Sequence, residues 1–289
     1  MKIKSILKLG TLALLTAALP ACSFLDTDPQ IIPDDGYYNS EQKLIYGLAG
    51  VYGALNSEAL YGNYYSLQIA NADDLCYFNN YNNSESRPDR YNHSAGTAAI
   101  YDTWSKLYEG IKNANRYIEA VEKTEIDPGK LSVDIGLYIA EARFLRAYYY
   151  FCLMRLYGPV VLLGEGVDDL NDLALRERDS NPWDECVDWV AEECRKAAAD
   201  LPLTQPDSYL GRATKGVALA LRARLLLYAA RPLFNGNPMY RNMTNAEGKY
   251  LFPQSYDASK WTKAAEAAWD VLDLRQYELI ETGNPYVDW

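Results

Sequence analysis

Apolar residues recur along this chain at helical spacing, and the stripes they draw predict its elements. Trp104, Leu107, Ile111, Ala114, Ile118 and Val121 follow a 3,4,3,4,3 rhythm, which aligns them on one face of a helix. Asp102 stands where an N-cap would serve that helix. Leu137, Ala140, Phe144, Ala147, Phe151 and Met154 repeat the rhythm. Beside them runs a second stripe, Tyr138, Ala142, Leu145, Tyr149, Cys152 and Leu156. A helix with apolar neighbours over most of its circumference must sit inside a stack. It should stop before Gly158-Pro159, a pair that cannot continue a helix.

The same reading gives four more helices. One opens behind Ser40 and buries Leu44, Leu48, Val51 and Leu55. Another starts at Ser180-Asn181 with Pro182 in its first turn and buries Trp183, Val187, Val190, Cys194 and Ala197. Asp184 and Glu185 suit the positive end of its dipole, and Arg195 and Lys196 would close it. Residues 214–231 are nearly apolar all round and end at Pro232. The last begins at Ser259, with Trp261, Ala265, Ala268 and Leu272 as its buried stripe. No alternating strand pattern of any length interrupts the series, so the expected fold is all-α.

The helices look paired and repeated. Trp183 and Trp261 are 78 positions apart, as are Leu145-Arg146 and Ala223-Arg224. A helix-pair unit recurring at that distance predicts tetratricopeptide-like hairpins separated by long excursions. Alanine stripes such as Ala264, Ala265, Ala267 and Ala268 allow helices to approach closely.

The N-terminus has a different grammar. Lys2, Lys4 and Lys8 precede the apolar residues 11–19, the order of a secretory signal whose core is too short to span a bilayer. It ends in Leu19-Pro20-Ala21-Cys22, small residues directly ahead of a cysteine, as bacterial lipoprotein processing requires. The expectation is a signal peptide over residues 1–21 and a helical domain over 22–289, with Cys22 as the lipidated first residue. An ordinary signal with an incidental cysteine is the alternative. Several acyl chains on one residue hold far more firmly than a single one.

Composition narrows the partners. A chain of 289 residues, 49% of them hydrophobic, can bury a sizeable core. The net charge of −11 argues against nucleic acid and against anionic lipid, leaving attachment to the lipid at Cys22. Besides Cys22 there are Cys76, Cys152, Cys186 and Cys194. The last two lie on one predicted helix roughly 12 Å apart, too far to bridge. They read as buried free thiols. His93 is the single histidine, so no multi-histidine metal site is expected, nor any cofactor. Asp73-Asp74 and Asp168-Asp169 are adjacent acids, and adjacent residues rarely face one substrate as a glycosidase pair must. No catalytic residue is assigned.

Several segments resemble the SusD/RagB family of outer-membrane nutrient-binding lipoproteins. Residues 141–160, EARFLRAYYYFCLMRLYGPV, are similar to the family's core helix motif. Residues 211–236, GRATKGVALALRARLLLYAARPLFNG, are similar to its second signature. The opening CSFLDTDP at 22–29 and WSKLYEGIKNANRYIE at 104–119 follow the family's habit in the same order. The resemblance implies tetratricopeptide-like hairpins carrying a loop-rich ligand-binding region at the extracellular face of the outer membrane. It also implies a SusC-like TonB-dependent transporter as partner, with the lipoprotein as its lid. Family members run to roughly double this length, so the chain reads as truncated, with most of the C-terminal region missing.

Ligand chemistry is sought in the loops. Residues 76–93 hold Tyr77, Asn80, Tyr81, Asn82, Arg90 and Tyr91 with no helical period. Aromatic faces stack on the C–H face of a sugar, while amides and guanidinium groups bond its hydroxyls. That mixture suits an oligosaccharide, and the family's N-terminal contribution to its binding surface falls in a comparable region. A peptide-binding or purely protein-interaction scaffold is the alternative, since such stacks commonly present concave surfaces to peptides. Tyr61, Tyr64 and Tyr65 read as core packing. Arg143, Arg146, Arg222 and Arg224, on otherwise apolar helices, read as interhelical hydrogen-bond donors.

Overall fold

A computed structural model describes residues 37–55, 98–132, 134–164 and 178–284. Six α-helices follow in order: α1 (Glu41–Tyr52), α2 (Ala98–Glu122), α3 (Ile135–Tyr157), α4 (Trp183–Asp200), α5 (Lys215–Ala230) and α6 (Ser259–Leu272). Each packs chiefly on its neighbours in sequence, and α1 also reaches α3. This is the connectivity of an array of antiparallel hairpins. Among the described residues the extended pairing amounts to one isolated bridge, Thr244 with Tyr250. None of the helices there is long and apolar enough to cross a membrane.

The core sits on α3, and its two apolar stripes explain why. Tyr138, Ala142, Leu145, Tyr149 and Cys152 are buried on one side, and Ala140, Phe144, Ala147, Phe151 and Met154 on the other. The helix starts where Asp134 accepts the Gly136 N–H at 2.7 Å. It stops at Gly158, whose φ of 79° side chains avoid. Leu107, Ile111, Ala114, Ile118 and Val121 of α2 pack below, with Trp104 half-buried and edge-on to Tyr157 at 5.0 Å. Gly110 makes that approach possible, because a methyl group there would stand 2.8 Å from both Ala54 and the Tyr149 ring.

Several predicted boundaries move. Helix α2 begins at Ala98, so Asp102 lies inside it rather than capping it. Pro182 is itself the N-cap of α4, with no side-chain bond, and the Trp183 N–H goes to the Leu251 carbonyl instead. That helix runs on to Asp200, leaving Arg195 and Lys196 short of its last turn. Leu55 lies beyond the end of α1 and is 42% exposed.

The largest correction concerns α6. Ala264 and Ala267 face the core, whereas Trp261, Ala265, Ala268 and Leu272, expected to be buried, are exposed. Both sets are apolar and at helical spacing. The smaller side chains win the contact because they let α5 and α6 come closer.

The excursion between α5 and α6 is held by aromatic stacking. Trp183, the first residue of α4, lies 4.0 Å from Phe234 in near-parallel planes, and Tyr240 stacks on Phe252 at 4.5 Å. The 78-residue repeat therefore survives as an order of helices and not as equivalent environments. Trp183 is buried where Trp261 is exposed, and Arg146 is buried where Arg224 is exposed.

Candidate functional site

The residues predicted to meet ligand, Tyr77, Asn80, Tyr81, Asn82, Arg90 and Tyr91, lie outside the described residues, as do Cys22, Cys76, His93 and the acid pairs. What the structure describes is the frame from which residues 56–97 hang: the end of α1 and the start of α2. That frame is fixed by polar side chains inside an apolar stack. The Tyr149 hydroxyl donates to the Val51 carbonyl at 2.6 Å, and Tyr117 donates to the Leu44 carbonyl at 2.9 Å. Burial pushes both phenols well above their ordinary pKa, so they act as neutral donors.

Two buried carboxylates complete the frame. Glu141, fully buried in α3, accepts the Tyr52 hydroxyl at 2.8 Å and the Arg212 Nε at 2.9 Å, with a second guanidinium nitrogen on its other oxygen. The Tyr52 hydroxyl in turn accepts the Ala213 N–H at 2.9 Å. The loop before α5 is thereby tied to the end of α1. Glu193 of α4 pairs with Arg146 Nη2, while Arg146 Nη1 donates to Asn115 of α2 at 2.6 Å. Arg143 and Lys196 approach the same carboxylate at 3.4 and 3.5 Å. The Arg146 guanidinium lies 5.2 Å from the centre of the Trp189 ring.

These contacts settle the arginines of the apolar helices. Arg143 and Arg146 are interhelical donors, and Arg222 reaches Asp270 of α6 at 2.8 Å. Arg224 differs: it is exposed, and its guanidinium stands 5.9 Å from the rings of Phe151 and Tyr228. Its role is cationic packing on aromatic faces rather than donation to a carboxylate. Glu141, Glu193, Asn115 and Arg212 were not singled out in the sequence. A carboxylate on an otherwise apolar helix, as in EARFLRA, was the signal that could have found the first.

A second connection is anchored in the same way. Tyr108 donates to the Val161 carbonyl at 3.0 Å and receives the Val161 N–H at 3.1 Å; Tyr150 receives the Leu163 N–H at 2.9 Å. Residues 160–164 are therefore pinned to α2 and α3 just before residues 165–177 leave the described chain. Cys186 and Cys194 are buried free thiols, as expected, and Cys152 is buried. Burial pushes the Cys186 thiol up to about 11, which keeps it protonated and unreactive near neutral pH. Among the described residues no cluster of three metal-ligating side chains occurs.

An all-α array of hairpins from which long connections are hung by buried polar contacts is the class of protein that this geometry defines. Residues 23–227 match the SusD-like family described as starch-binding and associating with the outer membrane, and the chain belongs to that family. SusD-like protein P25 of Formosa agariphila is 25% identical over 213 residues, covering 70% of this chain and 39% of that protein. A SusD-like protein of Bacteroides ovatus is 29% identical over 231 residues, covering 80% of this chain and 40% of its own length. The solved structure of BT4246 superposes with a TM-score of 0.66 at 28% identity, over 83% of this chain and 41% of that one. The chain thus spans about two-fifths of the length of the relatives it matches.

Proposed function

We propose that this chain is the N-terminal part of a lipoprotein, displayed on the extracellular face of the outer membrane, that binds oligosaccharide and passes it to a SusC-like TonB-dependent transporter. The observation that carries the reading is the match of residues 23–227 to a family described as starch-binding and associating with the outer membrane. That match opens on the residue after Cys22, where the charged and apolar leader ends and lipid would be attached. The protein captures and does not hydrolyse: ligand is held by ring stacking and hydroxyl hydrogen bonds, and no covalent bond changes.

The loop over residues 76–93 supplies the aromatic and amide groups for that task. Support comes from its attachment points, because α1 is locked to α3 by Tyr149 and the Tyr52–Glu141–Arg212 set and to α2 by Tyr117. A loop hung from rigid helices loses less entropy on binding than one hung from mobile ends. Titration calorimetry against a panel of neutral oligosaccharides tests the reading. Binding that is lost in Tyr81→Ala and Arg90→Ala is the expected result. Unchanged affinity in both variants removes the loop from the site, and binding of peptides alone removes the glycan.

A further inference from the structure

Arg143, Arg146, Arg195, Arg212 and Arg222 each lie within ion-pair distance of a glutamate or aspartate. Arg224 and Arg231 do not. Acidic residues outnumber basic ones by 39 to 28, yet none pairs with either guanidinium among the described residues. Both gather on one ring instead. The Arg231 guanidinium lies over Tyr228 at 3.9 Å from the ring centre, and that of Arg224 at 5.9 Å. Tyr228 meets Phe151 of α3 edge-on with centres 5.7 Å apart. Arg155, in the last turn of α3, stands 5.8 Å from the Phe151 ring. Guanidinium groups of Arg155, Arg224 and Arg231 thus surround one aromatic pair at the seam of α3 and α5.

Packing explains where these side chains stand and not what their donors do. A guanidinium stacked on a ring keeps its N–H groups in its own plane, directed away from that ring. The C-terminal pole of α5, whose C-cap is Arg231, favours positive charge there. It does not satisfy the Arg231 Nε, which is buried without a hydrogen-bond partner among the described residues. A buried donor left unbonded costs stability, so the arrangement suits a group that brings acceptors. Arg224 is exposed, and such a group reaches it from solvent. Guanidinium forks match the paired oxygens of carboxylates and other oxyanions. We propose that Arg224 and Arg231, held on Tyr228, form a subsite for the carboxylate or sulfate ester of an acidic oligosaccharide, built from residues outside the 76–93 loop. The assignment rests on the oligosaccharide-binding reading for the sugar and adds its charge. The net charge of −11 does not prevent it, because charges beyond a Debye length of about 8 Å are screened at physiological salt and the guanidinium groups are in contact.

Titration calorimetry of the purified protein tests the subsite with short oligogalacturonate and chondroitin sulfate fragments, each beside the same fragment after carboxyl reduction and desulfation. The native protein binds a charged fragment about tenfold or more tighter than its uncharged counterpart, the change expected of a charge-assisted hydrogen bond. Arg224→Gln and Arg231→Gln remove that preference and leave affinity for the uncharged fragment as it was. Arg222→Gln, which loses the same charge but only the contact with Asp270, keeps it. Arg224 is exposed and makes no polar side-chain contact among the described residues, so its variant carries the test even where Arg231→Gln does not fold. Equal native affinity for charged and uncharged fragments, or a preference that survives in the Arg224 variant, overturns the inference and leaves neutral glycan binding standing. Hexaglutamate or inorganic sulfate bound as tightly as the charged sugar assigns the arginines to another anion and overturns it too. A protein silent toward these fragments and toward the neutral panel overturns the oligosaccharide-binding reading itself, and the inference with it.

Discussion

Replacing Glu193 with alanine removes the carboxylate that neutralises the centre of the α2–α3–α4 packing. Glu193 and Arg146 are both essentially inaccessible, at 1% and 0%. The variant leaves the Arg146 guanidinium with Asn115 and the Trp189 ring, and it takes the acid from Arg143 and Lys196 as well. Breaking a buried pair by deleting one partner costs about 3–5 kcal/mol, because the surviving charge stays in the interior unpaired. For a domain of this size that lowers the thermal midpoint by roughly 6–20 °C. Urea denaturation with a calorimetric check measures it. Arg195→Ala, which breaks the exposed contact with Glu192, leaves the midpoint in place. The double variant Arg146→Met with Glu193→Leu recovers most of the loss, since the desolvation cost disappears with the charges. A loss below about 1 kcal/mol in Glu193→Ala refutes the reasoning.

Two other perturbations are set by single positions. Gly236 sits at φ 75°, and a Cβ there would come within 2.4 Å of the Tyr256 backbone nitrogen; Gly236→Ala therefore destabilises by about 2–4 kcal/mol, read as an earlier urea midpoint. Glu41 accepts from the Ser132 backbone at 3.0 Å and from Tyr138 at 2.8 Å, and its hydrogen bonds to Ser132 hold its carboxyl below the ordinary value. A depressed carboxylate stabilises the fold above its unfolded pKa and loses that contribution as pH falls through its folded pKa. Thermal midpoints of the native chain and Glu41→Gln should thus differ at pH 7 and converge toward pH 3; a gap that stays constant over this range contradicts the assignment.

The helices were legible because their apolar residues kept strict spacing over three turns or more, as in the Leu107–Val121 and Leu137–Met154 stripes. Boundaries were less so. A carbonyl or a proline ended up doing what the sequence suggested a side chain would do, as at Ser40 and Pro182. The face of α6 was misread for a definite reason: two apolar stripes lie side by side on it, and periodicity alone cannot say which one meets a neighbour. The frame around α1 and α2 was also hidden. It depends on pairings across 31 to 161 positions, such as Arg146 with Asn115, Glu141 with Arg212 and Tyr52 with Ala213, which no local pattern encodes. Of the two tyrosines that read only as apolar stripe members, Tyr149 donates to the Val51 carbonyl and Tyr138 to the Glu41 carboxylate. The loop over residues 76–93 rests on residue chemistry and on family likeness alone.

Tethering at Cys22 is the claim on which a surface role depends, and metabolic labelling with palmitate measures it directly. The account predicts label on the native protein that fractionates with the outer membrane and is shaved by protease from intact cells. Cys22→Ala should carry no label and leave the membrane fraction. An unlabelled native protein, or a Cys22→Ala variant that stays equally membrane-bound, would contradict it.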